Sequence, residues 1–306
     1  MISSFFSKTK PINYLATVGF VFIIYWIVIL KSIDFEFDFS LLWPNIGGLI
    51  FLILTFLAIN PIIKDDKLAE NSSYAMLFYV LMLLNFTSIL AQEGLLISNF
   101  FVVVSTGKVL SLKFDKRQNY HIFEAAFFVF LAGIFNEWAL LFLIPLYFAI
   151  YAYTNKQIRG WLMPLAAFVS VFLPLMALVL VTGNADNLLN NFHYDLGFDF
   201  SFKEYLGRLL FLAVMLAIIA IVFAKLGNRG IGRAVSLRIL MVYFIIAMVV
   251  TFFSANNGTT VIFSFFAAAV FLTNYFETIK KKKISEIILV VFVATSLTVA
   301  IFHLIQ

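Results

Sequence analysis

The sequence predicts an all-α, polytopic transmembrane helical bundle, and three observations support this fold class. Of the 306 residues, 63% are hydrophobic and 12% are charged, with a mean hydropathy of +1.03. Soluble domains average roughly 45–50% apolar and about 25% charged residues. Apolar runs of about 20 residues, the length that crosses the hydrocarbon core, recur along the chain, and basic residues follow alternate runs. These features predict one integral membrane domain over residues 1–306.

The hydropathy pattern predicts about eleven spans. The fifth and sixth are short and are separated only by Asn136 and Glu137, so they form either a tight hairpin or a re-entrant pair. A re-entrant pair would reduce the number of crossings to nine or ten. The fourth span contains Ser105, Gly107 and Lys108 and is the most interrupted. The predicted spans are 13–30, 45–63, 74–91, 95–112, 121–135, 138–153, 161–182, 206–224, 239–255, 259–277 and 285–304.

The basic residues set the orientation through the positive-inside rule. With the amino terminus on the cytoplasmic side, all but three of the 21 Lys and Arg residues fall on that side. The three exceptions are Lys31, Lys203 and Arg208. Splitting or merging one helix would move either the early or the late basic clusters to the opposite side. The pattern therefore predicts N-in and C-out, and the words inner and outer refer below to this predicted orientation.

Composition excludes several kinds of chemistry. The chain has no cysteine, so it has no disulfide, thiolate metal site, Cys-ligated iron–sulfur cluster or Cys nucleophile. Its three histidines lie at different predicted depths, which rules out a four-His iron site, and no Gly-x-Ser-x-Gly motif occurs. The basic residues follow the loop topology and do not form a patch on a soluble domain, so no nucleic-acid partner is predicted.

Carboxylates gather on the predicted outer side, where nine of the sixteen acidic residues lie beside only three basic ones. The string "DFEFDF" places Asp34, Glu36 and Asp38 directly after the first span. In an extended segment these three carboxylates share one face and the Phe rings share the other. The segment therefore either lies flat on the membrane surface or forms a catalytic or metal-binding carboxylate site.

Four further residues are candidates for a site on this side. Glu93 in "AQEG" and Glu137 in "FNEW" lie in very short loops, which hold each carboxylate at the outer rim. Short outer loops also need polar residues, so a purely structural role stays open for both. His193 and Asp195 lie in the longest outer loop, about 183–205. They either join the site or are ordinary surface residues.

Arg208 begins the eighth predicted span on the outer side. Its guanidinium could bind a phosphate with two parallel hydrogen bonds. The alternative is an interfacial arginine that extends its charged end toward water.

Three stretches carry a resemblance: "MISSFFSKTKPINY", "LISNFFVVVSTGKVLSLKFDKRQNYHIFEAAFFVFLAGIF" and "KQIRGWLMPLAAFVSVFLP". Together they resemble an uncharacterised multi-pass inner-membrane protein family of Bacteroidota, which implies a bacterial inner (cytoplasmic) membrane and brings no established activity. The middle stretch is also similar to GT-C-type membrane glycosyltransferases. That likeness implies an acid in the first outer loop, acting as base or metal ligand, and a polyprenyl-phosphate-linked sugar. Asp34, Glu36 and Asp38 lie where this acid would be.

The resemblance and the charge pattern together predict a cell-envelope protein that transfers a glycosyl group at the outer leaflet. In this hypothesis the first-loop acids act as base or as ligands of a divalent metal, Glu93 and Glu137 line the cleft, and Arg208 binds the lipid phosphate. The expected partners are the lipid bilayer and a polyprenyl-phosphate lipid. One alternative is a non-catalytic membrane subunit or assembly factor that binds other membrane subunits. The other is a transporter or flippase.

Overall fold

The computed structural model describes residues 11–32, 39–69, 72–113, 117–153, 158–183, 202–225, 231–254, 258–279 and 281–305. In these residues the backbone forms eleven α-helices and three short 3₁₀ segments. The helices are α1 (Pro11–Ser32), α2 (Phe39–Asp65), α3 (Ser72–Asn85), α4 (Glu93–Ser111), α5 (Gln118–Phe135), α6 (Leu143–Tyr153), α7 (Ile158–Thr182), α8 (Phe202–Lys225), α9 (Ile231–Phe253), α10 (Ile262–Glu277) and α11 (Lys282–Ile305). The first, second and third 3₁₀ turns are Thr87–Ala91, Glu137–Phe142 and Thr259–Val261.

The all-helical, multi-pass prediction is confirmed, and each predicted span coincides with one of these helices. Eight helices are long and apolar enough to cross a membrane, judged by length and composition. The remaining three are α3, α5 and α6. Of these, α3 has 14 residues and α6 has 11. A 3₁₀ turn lies at the outer end of each, separated from α3 by one residue and continuous with α6. The exact number of crossings and the GT-C likeness stay predictions.

The interrupted fourth span forms one continuous helix, α4, because its small and polar residues are packing positions. The Ser105 hydroxyl donates to the carbonyl of Ala125 on α5 at 2.9 Å. A Cβ at Gly107 would lie 2.8 Å from Cγ1 of Ile62, so the missing side chain lets α2 approach. Small residues and hydroxyl hydrogen bonds are typical of contacts between membrane helices. Ser105 and Gly107 therefore serve the contacts of α4 with α5 and α2 and do not interrupt the helix.

Burial separates a central helix from peripheral ones. In the segment Thr259–Glu277, which contains α10, 94% of the residues are buried. The corresponding share is 11% in α7 and 17% in α11, and their exposed side chains include Leu180 and Phe302. An apolar helix that is buried all round belongs in the core, whereas apolar side chains on a peripheral helix suit a lipid environment. The bundle is therefore built around α10.

Contacts between helix ends agree with the predicted alternation of inner and outer loops. Lys113, which follows α4, donates to Ser236 near the start of α9. Arg233, also near the start of α9, pairs with Glu277 at the end of α10. These ends all belong to the predicted inner side. At the opposite end of the bundle, the loop before α4 contacts the third 3₁₀ turn through Thr259. The described ends of α4, α9 and α10 thus meet as the positive-inside pattern predicts, and the orientation of the whole bundle stays a prediction.

Candidate functional site at the predicted outer end

The structure describes three of the eight residues that the sequence proposes for the site. Those described are Glu93, Glu137 and Arg208. The predicted site residues that lie outside the described residues are Asp34, Glu36, Asp38, His193 and Asp195. The first-loop acids and the long outer loop therefore stay predictions, and the site is built here from the residues around the other three.

Glu93 is the first residue of α4 and is half-buried. A Cβ at Gly48 would lie 3.3 Å from both Cα and Cβ of Glu93, so the glycine lets α2 pass close to the start of α4. The same position lies 3.0 Å from the Tyr25 hydroxyl, which donates to the carbonyl of Asn45 at 2.6 Å. The carboxylate-bearing end of α4 is thus fixed against α1 and α2 and does not hang free in a loop.

The loop before α4 is joined to the third 3₁₀ turn by a side-chain hydrogen bond. The Thr259 hydroxyl donates to Oε1 of Gln92 at 2.8 Å. Gln92 directly precedes Glu93, and Thr259 is 3% exposed. The two residues are separated by 167 positions in the chain. This contact brings the short outer loop "AQEG" beside the connection between α9 and α10.

Arg208 packs against the glycine that precedes this turn. Gly258 has φ +73, the left-handed conformation that side chains disfavour. A Cβ at this position would overlap the Arg208 guanidinium. The arginine is 6% exposed, and its Cζ lies 5.1 Å from the centre of the Tyr205 ring, a cation–π distance. Burial against Gly258 and Tyr205 differs from the extended, water-reaching arginine that was the sequence-level alternative.

Glu137 lies at the same end, next to a buried amide. It begins the second 3₁₀ turn and is half-buried. A Cβ at Gly94 would lie 3.4 Å from the carbonyl oxygen of Phe135, which places the end of α5 beside the first turn of α4. Asn136, between Phe135 and Glu137, is 7% exposed, and its Oδ1 has no hydrogen-bond partner among the described residues.

A second buried polar atom of this kind lies in the third 3₁₀ turn. Thr260 is fully buried, and its hydroxyl also has no hydrogen-bond partner in the described part of the chain. Leaving a buried amide or hydroxyl unpaired costs about 1–3 kcal/mol. These two groups therefore have hydrogen-bonding capacity that a polar ligand or ordered water can use.

We name this group of outer-end residues the turn cluster. Its members share a position in or beside the short connections at the predicted outer end. They are Gln92, Glu93, Asn136, Glu137, Arg208, Gly258, Thr259 and Thr260. Of the predicted residues, Glu93 and Arg208 are linked through Gln92, Thr259 and Gly258. Glu137 joins them through the contact between Gly94 and Phe135.

Sequence reasoning missed five members of the turn cluster: Gln92, Asn136, Gly258, Thr259 and Thr260. Gln92 and Asn136 lie within the strings "AQEG" and "FNEW", in which only the acids were singled out. The string "NNGTT", which runs from the connection after the ninth predicted span into the start of the tenth, contains the other three. Amide, glycine and hydroxyl residues in a connection of this length, flanked by apolar helices, are the signal that could have found them.

The turn cluster combines one buried cation with carboxylate, amide and hydroxyl groups. A guanidinium binds phosphate through a planar fork of donors. Carboxylate, amide and hydroxyl oxygens accept hydrogen bonds from hydroxyl groups. No group of three or more His, Asp or Glu side chains in the described ranges is placed to hold a metal ion. The chemistry displayed suits a ligand that carries both a phosphate and hydroxyl groups.

No protein-family model, curated protein or solved structure matches this chain.

Proposed function

We propose that the protein is a cell-envelope protein of the bacterial inner membrane that uses a polyprenyl-phosphate-linked sugar at its outer end, in the manner of GT-C-type membrane glycosyltransferases. The observation that carries this proposal is the burial of Arg208 against Gly258, beside the loop that holds Glu93. The planar fork of guanidinium donors matches the oxygens of a phosphate. A lipid phosphate at the membrane surface is therefore a ligand that Arg208 suits.

In the proposed reaction an acceptor hydroxyl oxygen attacks the anomeric carbon of the lipid-linked sugar. The bond between that carbon and the phosphate oxygen breaks, and the lipid keeps the phosphate. A carboxylate accepts the hydroxyl proton as general base. The role of base falls to Asp34, Glu36 or Asp38, in line with the GT-C resemblance. Arg208 stabilises the negative charge that develops on the leaving phosphate.

The remaining site residues would bind the sugar. Glu93 and Glu137 are half-buried at the same end of the bundle and can accept hydrogen bonds from sugar hydroxyls. His193 and Asp195, in the long outer loop, are proposed to bind the same sugar. A divalent cation, held by the first-loop acids, would add positive charge near the phosphate.

The activity is tested by replacing the first of the proposed bases. We expect Asp34→Asn to abolish transfer of the envelope glycan while the protein still inserts into the membrane. Asp65→Asn is the matched control, because Asp65 is an exposed aspartate at the opposite end. The measurement is glycan composition in cells that express each variant at equal levels. Normal glycan in the Asp34→Asn strain would contradict the transferase and favour a non-catalytic subunit or assembly factor.

A further inference from the structure

The connection between α2 and α3, at the predicted inner end, contains a buried carboxylate. The Asp66 side chain is 2% exposed, although it lies just beyond the end of α2. Lys67, the next residue, has φ +50 and is the one non-glycine residue with positive φ among those described. A left-handed non-glycine residue is costly and persists where its surroundings hold it. The side chains that contact this turn therefore show what holds Lys67 in the left-handed conformation.

Lys113 binds the turn from the end of α4 without a direct hydrogen bond to the carboxylate. Its ammonium donates to the backbone carbonyl of Asp66 and to the hydroxyl of Ser236, both at 2.7 Å. The distance from Nζ to Oδ1 of Asp66 is 3.8 Å. At that distance the two charges attract but do not form a hydrogen bond. The carboxylate thus lacks the strongest stabilisation that a lysine can give to its charged form.

The other side of the turn is held by α9 and α10. The Asn274 amide donates to the carbonyl of Leu68 at 3.0 Å. Arg233 donates to Oδ1 of Asn274 at 2.7 Å and to Oε2 of Glu277 at 3.1 Å. The turn is therefore held from both sides, by Lys113 on one and by Asn274 on the other. A change in the charge of Asp66 acts directly on the first of these contacts.

Burial favours proton uptake by Asp66, and the nearby charges act in both directions. The pKa of Asp66 is raised from 3.8 to about 6, chiefly by burial; Lys113 lowers this pKa and the adjacent Asp65 raises it. Burial also lowers the pKa of Lys113. Tyr153, at the end of α6, faces the same carboxylate. Lys67, the next residue, and the Arg233–Glu277 pair on the far side of the turn are further charges described near this connection.

We propose that Asp66 is a reversible proton-binding site on the predicted inner side, and that its protonation weakens the hold of Lys113 on the α2–α3 connection. The proton comes from a hydronium ion in the adjacent solvent, which leaves as water, and an O–H bond forms on the carboxyl group. The neutral acid no longer attracts the Lys113 ammonium. Its hydrogen bond to the carbonyl of Asp66 remains and still joins it to the connection, but without the attraction of the carboxylate. This site is independent of the outer-end function.

The direct test is infrared difference spectroscopy of the full-length protein in phospholipid nanodiscs, titrated from about pH 8 to about pH 5. We expect a carboxylic-acid carbonyl band to appear with a midpoint near pH 6. Asp66→Asn should remove this band, whereas Asp65→Asn, which changes the exposed neighbouring aspartate, should retain it. Absence of the band in the wild type, or its persistence in Asp66→Asn, would overturn the proposal.

A second variant keeps the test decisive if Asp66→Asn does not fold. Lys113→Gln removes the charge that favours the ionised carboxylate, so the midpoint of the band should move to higher pH. A midpoint that does not move would show that the titrating carboxyl is another residue.

Thermal unfolding gives an independent readout of the same site. Between about pH 4 and about pH 6 the folded protein binds more protons at Asp66 than the unfolded chain does, so resistance to heat should fall as the pH rises through this window. Asp66→Asn should flatten that dependence relative to Asp65→Asn. Identical pH profiles for the two variants would contradict the assignment.

Discussion

Buried charged groups at the predicted inner end of the bundle are paired, whereas a buried amide oxygen and a buried hydroxyl at the outer end have no partner among the described residues. At the predicted inner end, Arg233 donates to both Asn274 and Glu277, and Lys113 donates to the α2–α3 connection. At the predicted outer end, Oδ1 of Asn136 and the hydroxyl of Thr260 are buried without a hydrogen-bond partner among the described residues. These charged inner groups cross-link helix ends, whereas the amide and hydroxyl at the outer end carry unused hydrogen-bonding capacity. The inner end also has neutral buried groups of the second kind, the hydroxyls of Ser73 and Tyr153, so the contrast concerns the charged residues of the inner end.

This difference teaches how to separate structural from functional polar residues in a bundle of apolar helices. Removing one member of a charged inner pair should lower the free energy of unfolding, because the other member is then a buried charge without a partner in a low-dielectric interior. An unpaired outer group should matter little for stability and more for binding, because the folded protein without ligand gains nothing from it. Substitutions of the paired inner groups should therefore lower the free energy of unfolding, whereas substitutions of the unpaired outer groups should mainly weaken ligand binding.

The largest effect is expected from Arg233→Met at the inner end. Glu277, with a side chain 4% exposed, would lose its guanidinium partner. The free energy of unfolding should fall by about 3 kcal/mol, as is typical when one member of a buried ion pair is removed. Arg238→Met is the matched control, since Arg238 is exposed on the same helix. Equilibrium unfolding in mixed detergent micelles measures both, and equal losses would contradict the structural role of the pair.

An intermediate effect is expected from Gly258→Ala at the outer end. The left-handed backbone costs an L-residue about 1–2 kcal/mol, and the added Cβ would displace the Arg208 guanidinium. The variant should lose stability by about that amount and should also bind a phosphate-bearing lipid more weakly.

Gly207→Ala provides the control for this substitution. Gly207 lies next to Arg208 in α8, and a Cβ there would meet no heavy atom of the described residues within 4 Å. Alanine should be tolerated or stabilising by up to about 1 kcal/mol, because it favours the helix more than glycine does. Full phosphate binding by the Gly258→Ala variant would show that the glycine does not position the arginine.

The smallest effect on stability is expected from Thr260→Val. Valine has nearly the same shape and removes a buried hydroxyl that has no partner in the described part of the chain. Unfolding free energy should stay unchanged or rise by about 1 kcal/mol. Thr251→Val is the control, because the Thr251 hydroxyl donates to the carbonyl of Ala247 at 2.7 Å. A clear destabilisation by Thr260→Val alone would mean that this hydroxyl is paired in the folded protein.

Helix placement could be predicted from the sequence because it depends on local composition. A run of apolar residues long enough to span the hydrocarbon forms a helix wherever it lies. The basic residues predict the alternation of helix directions from an equally local pattern. Even the most interrupted segment forms one helix, α4, since Ser105 and Gly107 pack against neighbouring helices.

Side-chain partners could not be predicted, because they join residues that are distant in sequence. Gln92 and Thr259 are 167 positions apart, and Arg233 and Glu277 are 44 apart. Nothing in the string around Arg208 indicates that a left-handed glycine 50 residues later makes room for its guanidinium. In the sequence, Asp66 and Lys113 are only residues of two separate predicted inner loops. The fold brings the Lys113 ammonium within 3.8 Å of the Asp66 carboxylate.

The most direct test of the account is the binding of a polyprenyl phosphate to the full-length protein in nanodiscs. The wild type should bind the phosphorylated lipid and should not bind the corresponding polyprenol. Arg208→Lys should weaken binding about tenfold, because a lysine keeps the charge but loses the two-pronged geometry. Arg238→Lys, at an exposed inner position, should bind as the wild type does. Equal binding of both variants, or equal binding of phosphate and alcohol, would contradict a phosphate site at the outer end.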